Sequence, residues 1–274
     1  PPAEGEVHWQ AGDIAEVGPR HAPAAVEAWL LANGFDGGRV LADGQTLHAR
    51  LSRSHLPRHA AGTTLDDLLA LLQPLPHREY SIASAGHEGV VDLVLRRQLR
   101  ADGTPGLGSG WLCDIATVGS AIDLRLRRNP NFHGIVSDQP LILIGNGTGI
   151  AGLRAHLHER DAAGASRNWL LFGERHAAHD FHFGSELREM QQRGMLERLD
   201  AVFSRDGGEH RYVQDRLLAE AARLREWIHA GATVLVCGSL QGMAPAVDAV
   251  IAQVLGPDGR EALVREGRYR RDVY

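Results

Sequence analysis

The run Leu141-Ile142-Leu143-Ile144, followed at once by Gly145-Asn146-Gly147-Thr148-Gly149-Ile150-Ala151, constrains this chain more than any other stretch. Four consecutive apolar residues without a polar alternate suit a strand covered on both faces, the situation of a parallel strand. A strand that runs into a glycine-rich turn and then a helix presents unpaired backbone N–H groups. The positive end of the helix dipole adds to them, and the result is a site suited to phosphate. The strict dinucleotide fingerprint asks for glycine at its sixth position, where this chain has Ile150. A tight turn that needs glycine only for its backbone angles is the alternative.

The pattern repeats downstream. A helix over 150–161, a strand at 169–172, a helix over 185–192 and a strand at 201–203 follow in order. Then come a helix over 213–229, a strand at 233–236 and a last helix over 243–255. This alternation predicts a doubly wound parallel sheet. The first half has another texture, short alternating runs broken by Gly, Pro and Asp. Runs 90–95 and 121–126 have the period of two expected of antiparallel strands in a barrel or sandwich. Two helices interrupt them. One covers 23–32, opening on Pro23 and stopping before Asn33-Gly34; the other covers 64–72, opening on Thr64 and stopping before Pro74. The chain reads as two domains, 1–138 and 139–274, with the change of texture near 137–140.

Composition narrows the function classes. Lys plus Arg number 29 against 34 for Asp plus Glu, so the formal charge is −5 and no nucleic-acid footprint is expected. No apolar run approaches the about 18 residues that span a bilayer. Residues 1–4 carry no signal-peptide pattern. Two cysteines, Cys113 and Cys237, cannot make a disulfide-dense scaffold, so a cytoplasmic location is expected. The chain begins at Pro1 rather than Met and reads as part of a longer protein. His176, His179 and His182 form the tightest histidine group, in a segment that reads as a loop entering a helix. A solvated polar surface is expected there rather than a metal site.

Two further segments suggest ligands. Ser204-Arg205 follows the third strand of the second half, at the carboxyl end where ligands sit in such sheets. The paired donors of an Arg suit a dianionic phosphate. His210-Arg211-Tyr212 could add charge and an aromatic face. A 2′-phosphate pocket and a solvated loop are both compatible with this pattern. In the first half, Arg78-Glu79-Tyr80-Ser81-Ile82-Ala83-Ser84 reads as a strand with Arg78, Tyr80, Ile82 and Ser84 on one face and Ser81 on the other. An Arg and a Tyr two residues apart can grip a pyrophosphate and cover a flat ring.

Together these stretches resemble the ferredoxin–NADP⁺ reductase superfamily, in particular the FAD- and NADPH-binding half of the diflavin reductases. The resemblance runs from Trp9-Gln10-Ala11-Gly12-Asp13 through Tyr212-Val213-Gln214 and Val236-Cys237-Gly238 to Arg268-Tyr269-Arg270-Arg271-Asp272-Val273-Tyr274. It implies an antiparallel β-barrel FAD domain with a short helical insert, followed by the α/β NADP domain. It implies that Arg78 binds the FAD pyrophosphate, Tyr80 stacks on the isoalloxazine and Ser81 hydrogen-bonds near flavin N5. Ser84, together with Val94, Leu95 and Arg96 on a strand lining the cofactor, would contact FAD. So would Gly106, Leu107, Gly108 and Ser109, as the second FAD loop, and Tyr274 would cover the other flavin face. Gly147, Thr148, Gly149, Ser204, Arg205, His210, Arg211, Tyr212 and Gln214 would contact NADPH. Cys237 would lie beside nicotinamide C4, with Asp272 supporting it electrostatically. Without the resemblance, a small buried residue at a strand end is an equal reading of Cys237.

The chain departs from the family pattern at several places. Asn146 and Gly152 stand where prolines are usual, Ser239 where Asp follows Cys-Gly, and His210 where a Lys is usual. The resemblance implies no FMN in this chain. Its electron acceptor would be an FMN domain, a flavodoxin or a haem-containing partner. A stand-alone NADPH–ferredoxin or flavodoxin reductase, and a module that binds FAD or a nucleotide without turnover, are the alternatives.

Overall fold

The computed structural model describes residues 7–134 and 138–274. The residues read for a signal peptide, and Ser137 at the expected change of domain, lie outside them. Two compact units make up the chain. The smaller contains Ala15–Tyr80 and Leu95–Leu126; the larger contains Pro1–Ile14, Ser81–Val94 and Arg127–Tyr274. The units therefore interleave along the sequence, whereas the change of texture near residue 139 marks the start of the parallel sheet.

Mostly within the smaller unit, β1 (Ile14–Gly18), β2 (Arg78–Ser81) and β3 (Asp123–Arg127) form a small antiparallel sheet in the order β2-β1-β3. Its helices are α1 (Pro23–Asn33), α2 (Leu47–Ser52), α3 (Leu65–Leu71) and the single turn α4 (Leu107–Gly110). Helix α1 starts on a proline and stops at Gly34 in the left-handed region, φ 74°, as its sequence signals require. Thr64 accepts the amide of Asp67 and so starts α3. Val26, Leu30, Leu47, Leu51 and Leu68 pack together beneath these helices. Asp123 on β3 binds both Arg20 and Arg53, at 2.8 and 2.7 Å. Burial opposes its charge, yet these two guanidinium groups hold the carboxyl down at about 2. Among the described residues the sheet of this unit has three strands, and the expected barrel is not seen.

The larger unit holds a five-stranded parallel sheet in the order β6-β5-β4-β7-β8. The strands are β4 (Leu141–Asn146), β5 (Asn168–Glu174), β6 (Arg198–Phe203), β7 (Thr233–Gly238) and β8 (Tyr269–Val273). Helices α5 (Ile150–Ala162), α6 (Ala177–Asp180), α7 (Gly184–Gln192), α8 (Val213–Ala219), α9 (Ala221–His229), α10 (Met243–Leu255) and α11 (Pro257–Arg265) connect them. The apolar run on β4 serves two cores. Ile142 and Ile144 pack with Trp169, Leu171, Val234 and Val236 on one face. Leu141 and Leu143 pack with Leu170, Phe172 and Leu235 on the other. Each such side chain, fully buried, contributes about 1.5–3 kcal/mol. No helix among the described residues is long and apolar enough to cross a membrane.

Three expected elements differ. The run 90–95 is a loop with one bridge, Leu93 to Ile82, so Val94, Leu95 and Arg96 lie on no strand. The cause is Ser84, whose hydroxyl takes the amide of Asp92 that a ladder carbonyl would have received. The helix expected over 213–229 breaks at Glu220, whose carboxylate accepts from Arg198 and Arg216, both at 2.8 Å. The helix at 243–255 is followed by a further helix, α11, and by β8. The charged pattern of β8 hides a strand because it lies at the sheet edge, with β7 its one neighbour.

Candidate functional site

The sheet order turns back at β4, which has β5 on one side and β7 on the other. In such sheets ligands occupy the crevice outside the carboxyl ends of the strands at this point. The glycine turn Gly147–Gly149 lies there, between β4 and the start of α5. Gly147 has φ 58°, in the left-handed region. Gly149 answers a different need: a Cβ on it would lie 2.2 Å from the carbonyl oxygen of Cys237 and 2.8 Å from Cα of Gly238. The close approach of helix to neighbouring strand that the fingerprint assigns to its sixth position is thus made by Gly149, and Ile150 is free to be a buried side chain. The departure at Asn146 also has a cause, since its side-chain oxygen accepts the amide of Ser239 at 2.9 Å and ties the ends of β4 and β7 together. This backbone cradle fits a pyrophosphate.

Beside it, the three residues expected to be catalytic converge. Asp272 on β8 is level with Cys237 on β7. Its Oδ2 accepts the hydroxyl of Ser81 at 2.8 Å and lies 3.9 Å from the Cys237 sulfur, which donates to it. Cys237 is fully buried. Burial first, and then the Asp272 carboxylate, push its thiol well above the usual range, so it is a neutral donor and not a nucleophile. Gly152, where the family has proline, faces this trio: a Cβ there would lie 3.5 Å from both the Cys237 sulfur and Ser81 Cβ. Tyr274 is held by its backbone, which donates to the oxygen of Gly238 and accepts from Leu240, both at 3.0 Å. Its hydroxyl meets Thr148 Oγ1 at 3.2 Å. Ser84 is fully buried, and its hydroxyl donates to Val90 and accepts from Asp92 within its own loop.

The cationic residues gather at the ends of β5 and β6. Arg205 donates its amide to the oxygen of Arg175 at 3.0 Å, and Ser204 donates to that of Glu174 at 2.8 Å. Both Arg side chains are exposed and neither has a carboxylate partner among the described residues. Arg175 carries no motif, and its one signal in the sequence is its place at the end of the neighbouring strand. Asp206 fixes this corner by accepting from His176 Nδ1 and the Ala177 amide. Arg211 lies over the half-exposed ring of Tyr212, 5.5 Å from its centroid. His210 Nε2 is 3.3 Å from the guanidinium of Arg216, and Gln214 sits in the first turn of α8, half-buried. His179 lies in α6, and His176 and His182 flank that helix and face different carboxylates: His176 meets Asp206, and His182 lies 3.9 Å from Glu174.

The smaller unit has a second constellation. Arg78 is half-buried, and its guanidinium donates only to the backbone oxygens of Pro76 and His77, with no carboxylate partner among the described residues. Gly106 opens α4, and a Cβ on Gly108 would lie 2.5 Å from Arg78 Cγ and 2.7 Å from the Tyr80 hydroxyl. Leu107 follows Gly106, and Ser109 Oγ accepts the amide of Gln98. Burial pushes the Tyr80 phenol up, so it stays neutral. A cation without a carboxylate beside a turn of small residues fits a pyrophosphate.

A parallel sheet with an anion-binding glycine turn, cations at the adjoining strand ends and a Ser-Cys-Asp group define the larger unit as a dinucleotide-binding oxidoreductase domain. Residues 143–249 match the oxidoreductase NAD-binding domain family. The chain is 39% identical over 228 residues to the sulfite reductase [NADPH] flavoprotein alpha-component of Yersinia enterocolitica. It is 37% identical over 230 residues to that of Cronobacter sakazakii. Each alignment covers 76% of this chain and 38% of the relative. The chain therefore belongs to the ferredoxin–NADP⁺ reductase-like oxidoreductases and is homologous to the C-terminal part of these flavoprotein components. It spans less than two fifths of their length.

Proposed function

We propose that this chain is an NADPH-oxidising flavoprotein module. It takes a hydride from NADPH onto FAD and passes electrons singly to an FMN domain, a flavodoxin or a haem-containing partner. The observation that carries this reading is the convergence of Ser81 and Cys237 on one oxygen of Asp272, beside a dinucleotide-type glycine turn. FAD, when bound, supplies the conversion between a two-electron donor and one-electron acceptors.

The protein's own residues bind and orient. The amides of the glycine turn and the start of α5 hold the NADPH pyrophosphate. Arg205 and Arg175 meet its 2′-phosphate, and Tyr212 offers a face to the adenine. Asp272 stabilises the positive charge that the departing hydride leaves on the nicotinamide. Cys237, kept neutral, fills the space beside the ring without adding to it as a thiolate would. Ser81, whose single hydroxyl proton goes to Asp272, would present its oxygen toward the flavin as an acceptor. In the smaller unit, Arg78 and the amides of Leu107–Ser109 hold the FAD pyrophosphate, with Tyr80 as a stacking ring.

The test is the visible spectrum of the protein reconstituted with FAD. Bound flavin bands that bleach anaerobically on addition of NADPH are expected. A protein that fails to retain FAD, or retains it and is not bleached, refutes the proposal.

A further inference from the structure

We infer that the side-chain NH2 of Asn146 donates a hydrogen bond to the pyrophosphate of the bound dinucleotide. This rests on the reading of the larger unit as an NADPH site. Asn146 is the last residue of β4 and immediately precedes the glycine turn. Its carboxamide has a set direction. Oδ1 accepts the Ser239 amide at 2.9 Å, and of the two arms only the oxygen can accept an N–H. The fit is close: a Cβ on Gly238 would lie 2.4 Å from this Oδ1 and 2.7 Å from the Asn146 carbonyl oxygen. Ser239 is itself held, its Oγ accepting the amide of Gly242 at 3.3 Å and its carbonyl that of Ala244 at 3.1 Å.

The other arm of the amide is Nδ2, with two N–H donors. The group is planar, so with Oδ1 on Ser239 the NH2 turns away from that residue. It has no hydrogen-bond partner among the described residues. Gly173, level with Asn146 on β5, brings no side chain over it, and Asn146 is only half-buried. A donor of set direction thus stands one residue before the turn, at the carboxyl end of the strand where the sheet order reverses. The turn amides and the dipole of α5 select an anion there, and a phosphate oxygen is the acceptor that strengthens such a bond most. The proline usual at this place in the family offers neither the acceptor for Ser239 nor the donor. Asn146 therefore gives this chain a side-chain contact to the pyrophosphate that the family pattern lacks at this position.

The experiment uses three ligands. NADP⁺ is the first. The second, 2′-phosphoadenosine diphosphate ribose, keeps the pyrophosphate and lacks the nicotinamide; the third, adenosine 2′-monophosphate, lacks both. Asn146→Ala is expected to bind the first two roughly tenfold more weakly and the third as the natural sequence does. In proton–nitrogen correlation spectra of the natural sequence, the assigned Asn146 NH2 resonances are expected to move downfield with the first two ligands only. An unchanged affinity of N146A for NADP⁺ overturns the inference, as does an equal loss with all three ligands or a loss with NADP⁺ alone. Asn146 resonances that stay in place also overturn it, because the lost tie to Ser239 then accounts for any weakening. If the natural sequence binds none of the three, the functional reading fails and this inference with it.

Discussion

Gly149→Ala and Gly152→Ala add the same methyl group three residues apart and should act with opposite signs. At Gly149 the new Cβ would lie 2.2 and 2.5 Å from the carbonyl oxygen and carbon of Cys237 and 2.8 Å from Gly238 Cα. All three are backbone atoms of β7, so no rotamer change relieves the clash. Either α5 or β7 must move by about 1 Å, at a cost of about 3 kcal/mol. For a domain of this size that lowers the melting temperature by roughly 6–12 °C. At Gly152 the nearest atoms are side-chain atoms at 3.5 Å, ordinary van der Waals contact. There the methyl restricts the unfolded chain and suits a helix interior, a gain of roughly 0.5–1 kcal/mol. Urea unfolding followed by circular dichroism gives both values, and NADP⁺ titration shows whether the turn still binds. If Gly149→Ala is as stable as the parent, the close contact of α5 with β7 is not what fixes glycine there. If Gly152→Ala is the less stable variant, the space read beside Cys237 does not exist.

Three more outcomes are expected. Arg78→Ala should weaken FAD binding roughly ten- to a hundredfold, since one charge-assisted contact to phosphate contributes about 1.5–3 kcal/mol; normal flavin content in the purified variant refutes it. Arg205→Ala should raise KM for NADPH far more than for NADH, and an equal rise for both would mark Arg205 as structural. His156, buried against the edge of the Phe132 ring, is held by desolvation at about 3 against 6.5 in the unfolded chain. The unfolded state therefore binds the proton first. The stability this group contributes is complete above pH 6.5 and falls by about 1.4 kcal/mol per pH unit toward pH 3. His156→Leu should remove that slope in urea titrations made between those two values.

The parallel sheet was legible because its inner strands are apolar runs with few competing readings, and α1 and α3 were legible from their ends. What hid from the sequence were features set by a distant partner. Ser84 looks like a strand residue until its hydroxyl is seen taking the Asp92 amide. The break at Glu220 depends on Arg198, from a different strand. Tyr269–Val273 is polar because an edge strand has one neighbour, so its pattern resembles a loop. At the site, Ser81, Cys237 and Asp272 were named from family resemblance, and no spacing along the chain could have shown that they share an oxygen. Arg175 carried no motif; its meaning comes from standing at the end of β5, where its backbone oxygen accepts the amide of Arg205.

The contact between Ser81 and Asp272 joins residues 191 positions apart, and this has a consequence for synthesis. On the ribosome, β4 emerges before both of its neighbours, and β7 follows only after β5 and β6 are complete. A nascent chain that has reached the end of β7 already has every residue of the glycine turn and the cysteine. It still lacks the carboxylate that Ser81 and Cys237 share. Because contacts of such long separation form late and slowly, nucleotide-binding competence should precede redox competence during folding. An incomplete chain would then hold a nucleotide before it could draw electrons from it.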